Sequence, residues 1–424
     1  MKGMIVSGIG ILVLALILAG LAACGTAPQN TTSVSGEHVA DDARPDTPDG
    51  ADSVAAGNNR FAFDLYRRLA TDPTHAGDNL FFSPYSISSA LAITCEGARG
   101  TTADEILSVL HLPTTPSARE EFAAIDAGLN SGDANYTLRT ANALWAEETY
   151  PFLPDYIDAA TRWYGANVTN LDFINDPGES RETINRWVEE QTEDKIRDLL
   201  PSGSIDDLTR LVITNAIYFK GTWAEQFDAN KTTGEEFRAA PDETVTVPMM
   251  HGDVAYQYVE TDTLQVLEMP YAYGNGTELA ILVLLPKDDT LTAAEEAMDA
   301  ERVAGLRESL ISQNVRVFFP KFTLETEYSL PRALAAMGMP TAFTNDADLS
   351  GMDGTSDLSI TGVFHKAFVD VNEEGTEAAA ATGVVAGGGA TPVFRADHPF
   401  VFLIVEKDSG TILFMGRVVN PEGP

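Results

Sequence analysis

The chain has 424 residues, 44% hydrophobic and 21% charged, enough apolar material for one large domain or two smaller ones. Asp and Glu number 63 against 27 Lys and Arg, a net charge of −36 that argues against nucleic acid, anionic membrane surfaces and phosphate groups as partners. Such a surface suits a salty environment or selects a basic partner. The 6 histidines are scattered and no HExxH or CxxC occurs, so neither a metal site nor a cofactor is indicated. Of the 2 cysteines, Cys95 lies in an apolar stretch and reads as a buried free thiol, so there is no disulfide framework.

In chain order, Lys2 is followed by an uncharged apolar run to Ala23 and then Cys24. This is the layout of a signal peptide over 1–23. Leu21 to Cys24 (LAAC) resembles a lipobox, which implies a prokaryotic lipoprotein cleaved before Cys24 and lipidated on its thiol. The alternative is an uncleaved membrane helix, since the run is long enough to span. Either way the body lies outside the cytoplasmic membrane. Residues 24–57 are rich in Thr, Ser, Pro, Gly and Asp and are expected to be a disordered acidic tether. The folded body is expected over 58–424.

Phe61, Leu65 and Leu69 fall at helical spacing. Phe81 and Phe82 are strand-like, Ser83-Pro84 starts a helix, and Ser88 to Ala98 is a helix of small residues that lets another element approach closely. Thr102 and Glu105 have capping-box spacing for a helix through Leu110. A strand is predicted over 137–146, and helices over Pro154–Tyr164 and Ser180–Leu200. After Leu211 strands dominate: LVITNAIYFKGTW, VTVPMM, LQVLEMPYA, ELAILVLLP and VRVFFPKFTLETEYSL. A helix is predicted over Thr292–Gln313 and a short one over Pro331–Met337. Residues 362–372 alternate like a strand, and 397–420 read as a buried hairpin. Helices early and strands late argue an α+β domain with mixed sheets. Between the last two apolar stretches lies EEGTEAAAATGVVAGGGA, Glu373 to Ala390, small and almost without large side chains. Loops of about 15 residues or more without structure of their own are usually functional or disordered.

Seven separated segments, in order and in register, carry a family resemblance: NLFFSPYSISSAL, TNAIYFKGTW, VTVPMM, FPKFTLETEYSL, ADLSGM, FHKAFVDVNEEGTEAAAAT and FRADHPFVFLI. By these the body resembles a serpin from about Asn58 to Asn420. The resemblance implies three β-sheets, about eight or nine helices and an exposed reactive-centre loop over about 373–396. It implies a monomeric suicide inhibitor, not an enzyme, whose partner is a serine protease or in some cases a cysteine protease. The protease attacks the loop as substrate and forms an acyl-enzyme. The freed hinge then enters the main sheet as a new strand.

The hinge residues fit that demand. Alternation puts Thr376, Ala378, Ala380 and Thr382 on one face of an inserted strand, and Glu377, Ala379, Ala381 and Gly383 on the other. The first set is small and uncharged, and Glu377 can stay wet on the opposite face. Gly375 supplies the bend after Glu373 and Glu374. Counting forward from Glu373 puts the scissile bond at Gly389-Ala390; counting back from Pro399 puts it at Gly388-Gly389. A cut at Val385-Ala386 would shorten the inserted strand. Small residues before the cut suit enzymes with shallow pockets, elastase-like or subtilisin-like.

The resemblance also places Ser83, Ser86, Asn215 and His365 together under the centre of the main sheet (the shutter). It puts Trp223 at the top of that sheet (the breach), with Lys321 and Glu373 as an ion pair there. Three other readings compete. A hydrolase lacks a G-x-S-x-G elbow, and a lipoprotein solute-binding protein would show βαβ periodicity. A non-inhibitory serpin acting as a surface binding or structural protein would carry bulky or charged hinge residues, whereas here the entering face is small and uncharged and the charge of Glu377 falls on the opposite face.

Overall fold

A computed structural model describes residues 53–130, 132–288, 290–375 and 391–423. The order is α1 (Val54–Ala70), β1 (Leu80–Phe82), α2 (Pro84–Gly97), α3 (Gly100–Leu110), α4 (Thr115–Leu129), β2 (Tyr136–Glu147), α5 (Pro154–Tyr164), β3 (Asn167–Leu171) and α6 (Pro177–Gln191). Then follow β4 (Leu211–Gly221), β5 (Thr233–Ala240), β6 (Glu243–Glu260), β7 (Leu264–Pro270), β8 (Leu279–Pro286), α7 (Thr292–Glu296), α8 (Ala300–Glu308), β9 (Ile311–Pro320) and β10 (Phe322–Ser329). The last elements are α9 (Pro331–Met337), α10 (Ser350–Asp353), β11 (Ile360–Val371), β12 (Val393–Arg395), β13 (Phe400–Glu406) and β14 (Ile412–Val418).

The strands form a five-stranded sheet, β10-β11-β4-β2-β3, and a nine-stranded sheet, β1-β14-β13-β8-β7-β6-β9-β12 with β5 on β6. Pairing is thus continuous between two of the three sheets expected. The cause is β6, 18 residues long, whose first part pairs with β5 and whose last part pairs with β7, while β9 follows it from Met249 to Tyr258.

Helix α2 is the keystone between the sheets. Ser83 caps it by accepting from the Ser86 N–H at 3.1 Å, and Pro84 occupies the first turn, where its missing N–H costs nothing. All fourteen of its residues are buried. Its small side chains permit that, with Leu91 and Ile93 giving it apolar anchorage. Helix α6 lies on the other face of the five-stranded sheet, where Ile184 and Val188 form a second core with Trp145, Val212 and Ala216.

Four expectations are corrected. Helix α1 begins at Val54, capped by Ser53, inside the stretch assigned to the tether. The Thr102–Glu105 capping box does not form. Thr102 Oγ1 instead accepts from the Asp348 N–H at 3.0 Å, and the Glu105 carboxylate accepts from Thr341 N and Oγ1 at 2.9 and 2.8 Å. The helix expected over Thr292–Gln313 is split, because Asp299 accepts from the N–H groups of Glu301 and Arg302 and starts α8 afresh, and β9 begins at Ile311. The helix expected to Leu200 stops at Gln191, after which Glu193, Asp194 and Asp198 adopt left-handed backbone. Cys95 is a buried free thiol.

Candidate functional site

Strands β4 and β11 are parallel neighbours in the centre of the five-stranded sheet. Their ladder runs from Leu211↔Ile360 to Tyr218↔Phe368 and stops. The flanking antiparallel ladders continue to the strand ends, β2–β4 to Tyr136↔Gly221 and β10–β11 to Phe322↔Val371. The seam between β4 and β11 is therefore open at that end.

The chain leaving β11 turns back at that opening. Asn372 and Gly375 exchange backbone hydrogen bonds at 3.0 and 3.2 Å, and Gly375 forms an antiparallel bridge with Thr222, which extends β4. Gly375 has φ +116°, and a Cβ there would lie 2.4 Å from both Gly221 O and Trp223 N. Only glycine fits, for conformational and steric reasons together. Trp223, 2% exposed, donates from Nε1 to Asn372 O at 3.0 Å and stacks on Tyr271 at 4.5 Å. The N–H groups of Trp223 and Phe227 donate to Glu374 O and Glu373 O at 3.1 and 2.9 Å. Lys321, at the β9–β10 junction, donates to Glu373 Oε2 at 2.7 Å, and Thr232 Oγ1 donates to Oε1 at 2.7 Å. Burial alone would push the Glu373 carboxyl up. The hydrogen bonds from Lys321 and Thr232 outweigh it and hold the group below its ordinary value. The breach residues named from sequence, Trp223, Lys321 and Glu373, thus meet at the open end of the seam.

A polar row crosses the middle of the same sheet. Tyr328, His365, Asn215 and Asn142 are register partners on β10, β11, β4 and β2. Beneath them the start of α2 presents Ser83, Ser86 and Ser89. The Ser83 N–H donates to His365 Nε2 at 3.1 Å, and Ser83 Oγ donates to Leu413 O at 2.6 Å. Because Nε2 accepts, the proton sits on Nδ1, which donates to Asn215 Oδ1. The Asn215 amide donates to Ser86 Oγ and Asn142 Oδ1, and Ser86 Oγ donates to Asn142 Oδ1 at 3.3 Å. His365 is fully buried, and desolvation lowers its pKa to about 3 against a smaller opposing contribution from Asn215. The row is neutral, and none of its residues is more than 7% exposed.

The structure brings together all four shutter residues named from sequence. Asn142, Ser89 and Tyr328 belong to the same row and were not singled out. The signal for Asn142 was an amide in the apolar run TANALWAE.

Beyond the loop, β12 pairs in parallel with β9. Arg395 lies 3.5 Å over the Phe318 ring and donates to Glu235 at 2.5 Å, and His251 meets the other Glu235 oxygen at 2.5 Å. The hinge positions Thr376, Glu377, Ala378, Ala379, Ala380, Ala381 and Thr382, the cleavage candidates Gly388, Gly389 and Ala390, and Cys24 lie outside the described residues. Among the described residues no three His, Cys, Asp or Glu side chains converge as metal ligands, and no helix is long and apolar enough to cross a membrane.

This is an α+β protein whose five-stranded sheet has a parallel seam, partly open, with residues 372–375 turned back at the opening. Residues 56–421 match the profile of the family described as serpin (serine protease inhibitor). The chain is 44% identical over 382 residues to the leukocyte elastase inhibitor of Bos taurus, covering 87% of this chain and 100% of the bovine one. It is 41% identical to an uncharacterized serpin-like protein of Methanosarcina mazei, covering 87% and 88%. Among solved structures it resembles uncleaved ovalbumin, with TM-score 0.79 and 31% identity over 87% of this chain and 100% of ovalbumin. Human thyroxine-binding globulin matches with TM-score 0.79 and 32% identity, over 87% of this chain and 98% of the globulin. The chain belongs to the serpin family.

Proposed function

We propose that the protein inhibits a serine protease by being cut in the loop over 373–396 and inserting the freed hinge between β4 and β11. The observation that carries this reading is the antiparallel Thr222–Gly375 bridge at the open end of the seam. A strand continuing from it runs antiparallel to β4 and β11 at once. One parallel ladder is then replaced by two antiparallel ones, which are the stabler kind per residue. β4 has 11 residues, roughly 36 Å at ~3.3 Å per residue, so full insertion carries an acyl-linked protease about that far. The alternating small set Thr376, Ala378, Ala380 and Thr382 suits entry into a packed interior.

The target class is a protease with a shallow pocket, elastase-like or subtilisin-like, cutting at Gly389-Ala390. Gly before the bond offers nothing to a deep basic or aromatic pocket, and similarity to leukocyte elastase inhibitors points the same way. The protein acts as a monomer, outside the cytoplasmic membrane, with a signal peptide over 1–23 and a lipid on Cys24 as its anchor.

The test is incubation of the soluble body with elastase and with subtilisin, read on a denaturing gel. A stable high-mass complex and a released peptide starting at Ala390 are expected. Cleavage of the protein across a protease panel without any complex would overturn inhibition and favour a surface binding role. Thr376→Arg, which puts a charge on the entering face, is expected to turn the inhibitor into a substrate, because burying it costs several kcal/mol.

A further inference from the structure

The loop's two ends are fastened differently. Upstream stands the turn at Glu373 and Gly375; downstream stand β12 and the corner that follows it. β12 lies at the edge of the nine-stranded sheet and meets β9 over three register pairs, Val393↔Arg316 to Arg395↔Phe318. A strand that short holds little by itself, so the corner over 396–398 carries much of the anchorage. There the Ala396 N–H donates to Phe318 O at 2.9 Å and the Arg238 N–H on β5 donates to Asp397 O at 2.8 Å. His398 reaches across to the end of β8.

The His398 ring has an acceptor at each nitrogen. Nε2 lies 2.7 Å from Pro286 O, and Nδ1 lies 2.9 Å from Asp397 Oδ1. A carbonyl oxygen only accepts, so Nε2 carries a proton. An ionised carboxylate also only accepts, so Nδ1 carries one too. A neutral imidazole has a single N–H and would set its Nδ1 lone pair against the carboxylate. The side chain is 11% exposed, so water does little to relieve that repulsion. The other charged groups on the elements around the ring are Arg395 on β12, Arg238 on β5 and Lys287 just past β8. Arg395 is paired with Glu235 at 2.5 Å and Lys287 with Glu260 at 2.7 Å, and Asp397 is the charge in contact with the ring.

We propose that His398 is an imidazolium in the folded protein at neutral pH and that, clasped between Asp397 and Pro286 O, it is the positioning residue that anchors the downstream end of the loop. Losing the Nδ1 proton in alkali turns the clasp into a lone pair against a carboxylate and loosens β12 from β9. A histidine held in its charged form stabilises the fold fully below its ordinary value of about 6.5, and that contribution is lost as pH rises through the folded value. His365 is the opposite case, since its Nε2 accepts from the Ser83 N–H and the ring is neutral. The two histidines therefore pull stability in opposite directions with pH. The clasp forms whether or not a protease cuts the loop.

The test is NMR of the full chain isotopically labelled at the nitrogens of its 6 histidines. It is read at about pH 7.5, where an ordinary histidine is about nine-tenths neutral. Both ring nitrogens of His398 are expected to carry protons there, the signal being assigned by its loss in His398→Arg. Asp397→Asn, whose amide can donate to Nδ1, is expected to make the ring neutral at the same pH, and it assigns the signal should His398→Arg fail to fold. Exchange of the Ala396 amide is then compared at equal pH between wild type and His398→Arg, whose charge is permanent. The two are expected to match at about pH 6 and to differ by about tenfold at about pH 9.5, wild type exchanging faster. A ring with one proton in wild type at about pH 7.5, an unchanged ring in Asp397→Asn, or equal exchange at both pH values would each overturn the proposal.

Discussion

The middle and the end of the β4–β11 seam are held shut by different chemistry. At the end, Lys321 and Glu373 form an ion pair whose side chains are 36% and 11% exposed, beside a glycine turn and a stacked tryptophan. In the middle, Ser83, Ser86, Asn142, Asn215 and His365 share a neutral network that is almost wholly buried. An ion pair whose lysine is one-third exposed can be resolvated from that side as it opens, so it adds less to the barrier. A buried row cannot, because each donor or acceptor stranded on separation costs about 1–3 kcal/mol until it finds a new partner. The seam is thus soft where the chain turns back and stiff at its centre, an arrangement that lets opening start at one end without spreading.

Breaking the row has the largest expected effect. Asn215→Ala removes the one amide that touches His365, Ser86 and Asn142 together. It strands the Nδ1–H of His365, leaves the Asn142 Oδ1 with Ser86 Oγ as its donor, and opens a small void. A loss of about 3 kcal/mol in the intact protein is expected from urea unfolding at neutral pH. If the loss is below about 1 kcal/mol, the row is not where the seam is held.

Acid tests the same row without mutation. His365 stays neutral in the fold down to about pH 3, whereas in the unfolded chain it takes a proton near its ordinary value of 6.5. Between those values the unfolded state binds more protons, so stability falls as pH falls through that window. The expected loss on going from pH 7 to pH 5 is about 2 kcal/mol, from a slope approaching 1.4 kcal/mol per unit once the unfolded histidine is charged. His365→Gln is expected to flatten that slope, even though the variant starts less stable. Carboxylate titration lies lower and separates from it; Asp133, for instance, accepts from the N–H groups of Asn135, Gly274 and Gly276, which overcome its burial and hold it to about 2.

How much of this was legible beforehand follows from what each residue does locally. Ser83-Pro84 announced the start of α2 because a cap and a first-turn proline are local requirements, and Gly375 announced a bend for the same reason. The grouping of Ser83, Ser86, Asn215 and His365 came from the family resemblance. No periodicity places residues 282 positions apart in one hydrogen bond. Asn142 escaped notice because an amide on an apolar strand looks the same whether it faces water or a partner. The helix over Thr292–Gln313 was misjudged because its apolar spacing survives the break at Asp299, whose carboxylate starts a new helix instead of continuing the old one. Thr102 and Glu105 had the right spacing for a capping box, but the segment around 341–348 competes for both side chains, and tertiary hydrogen bonds won.

The smallest expected effect is at the soft end. Lys321→Ala leaves Glu373 with Thr232 as a donor and solvent nearby, so the carboxylate is not stranded. A loss of about 1 kcal/mol is expected at neutral pH, because Thr232 still satisfies the carboxylate, and it shrinks in high salt because the lysine is partly exposed. Because the folded Glu373 carboxyl is held below its ordinary 4.5, its contribution is fully present above that value and fades as pH falls through the lowered one. Wild type and variant should therefore converge as pH falls below 4.5, whereas the contribution of His365 already declines from about 6.5. The two regions are separable on this basis: the ion pair responds to salt and to pH below about 4.5, the row to pH below about 6.5 and not to salt. A salt-insensitive loss above about 3 kcal/mol in Lys321→Ala would mean that the turn at Glu373 is as rigid as the centre and that the seam has no soft end.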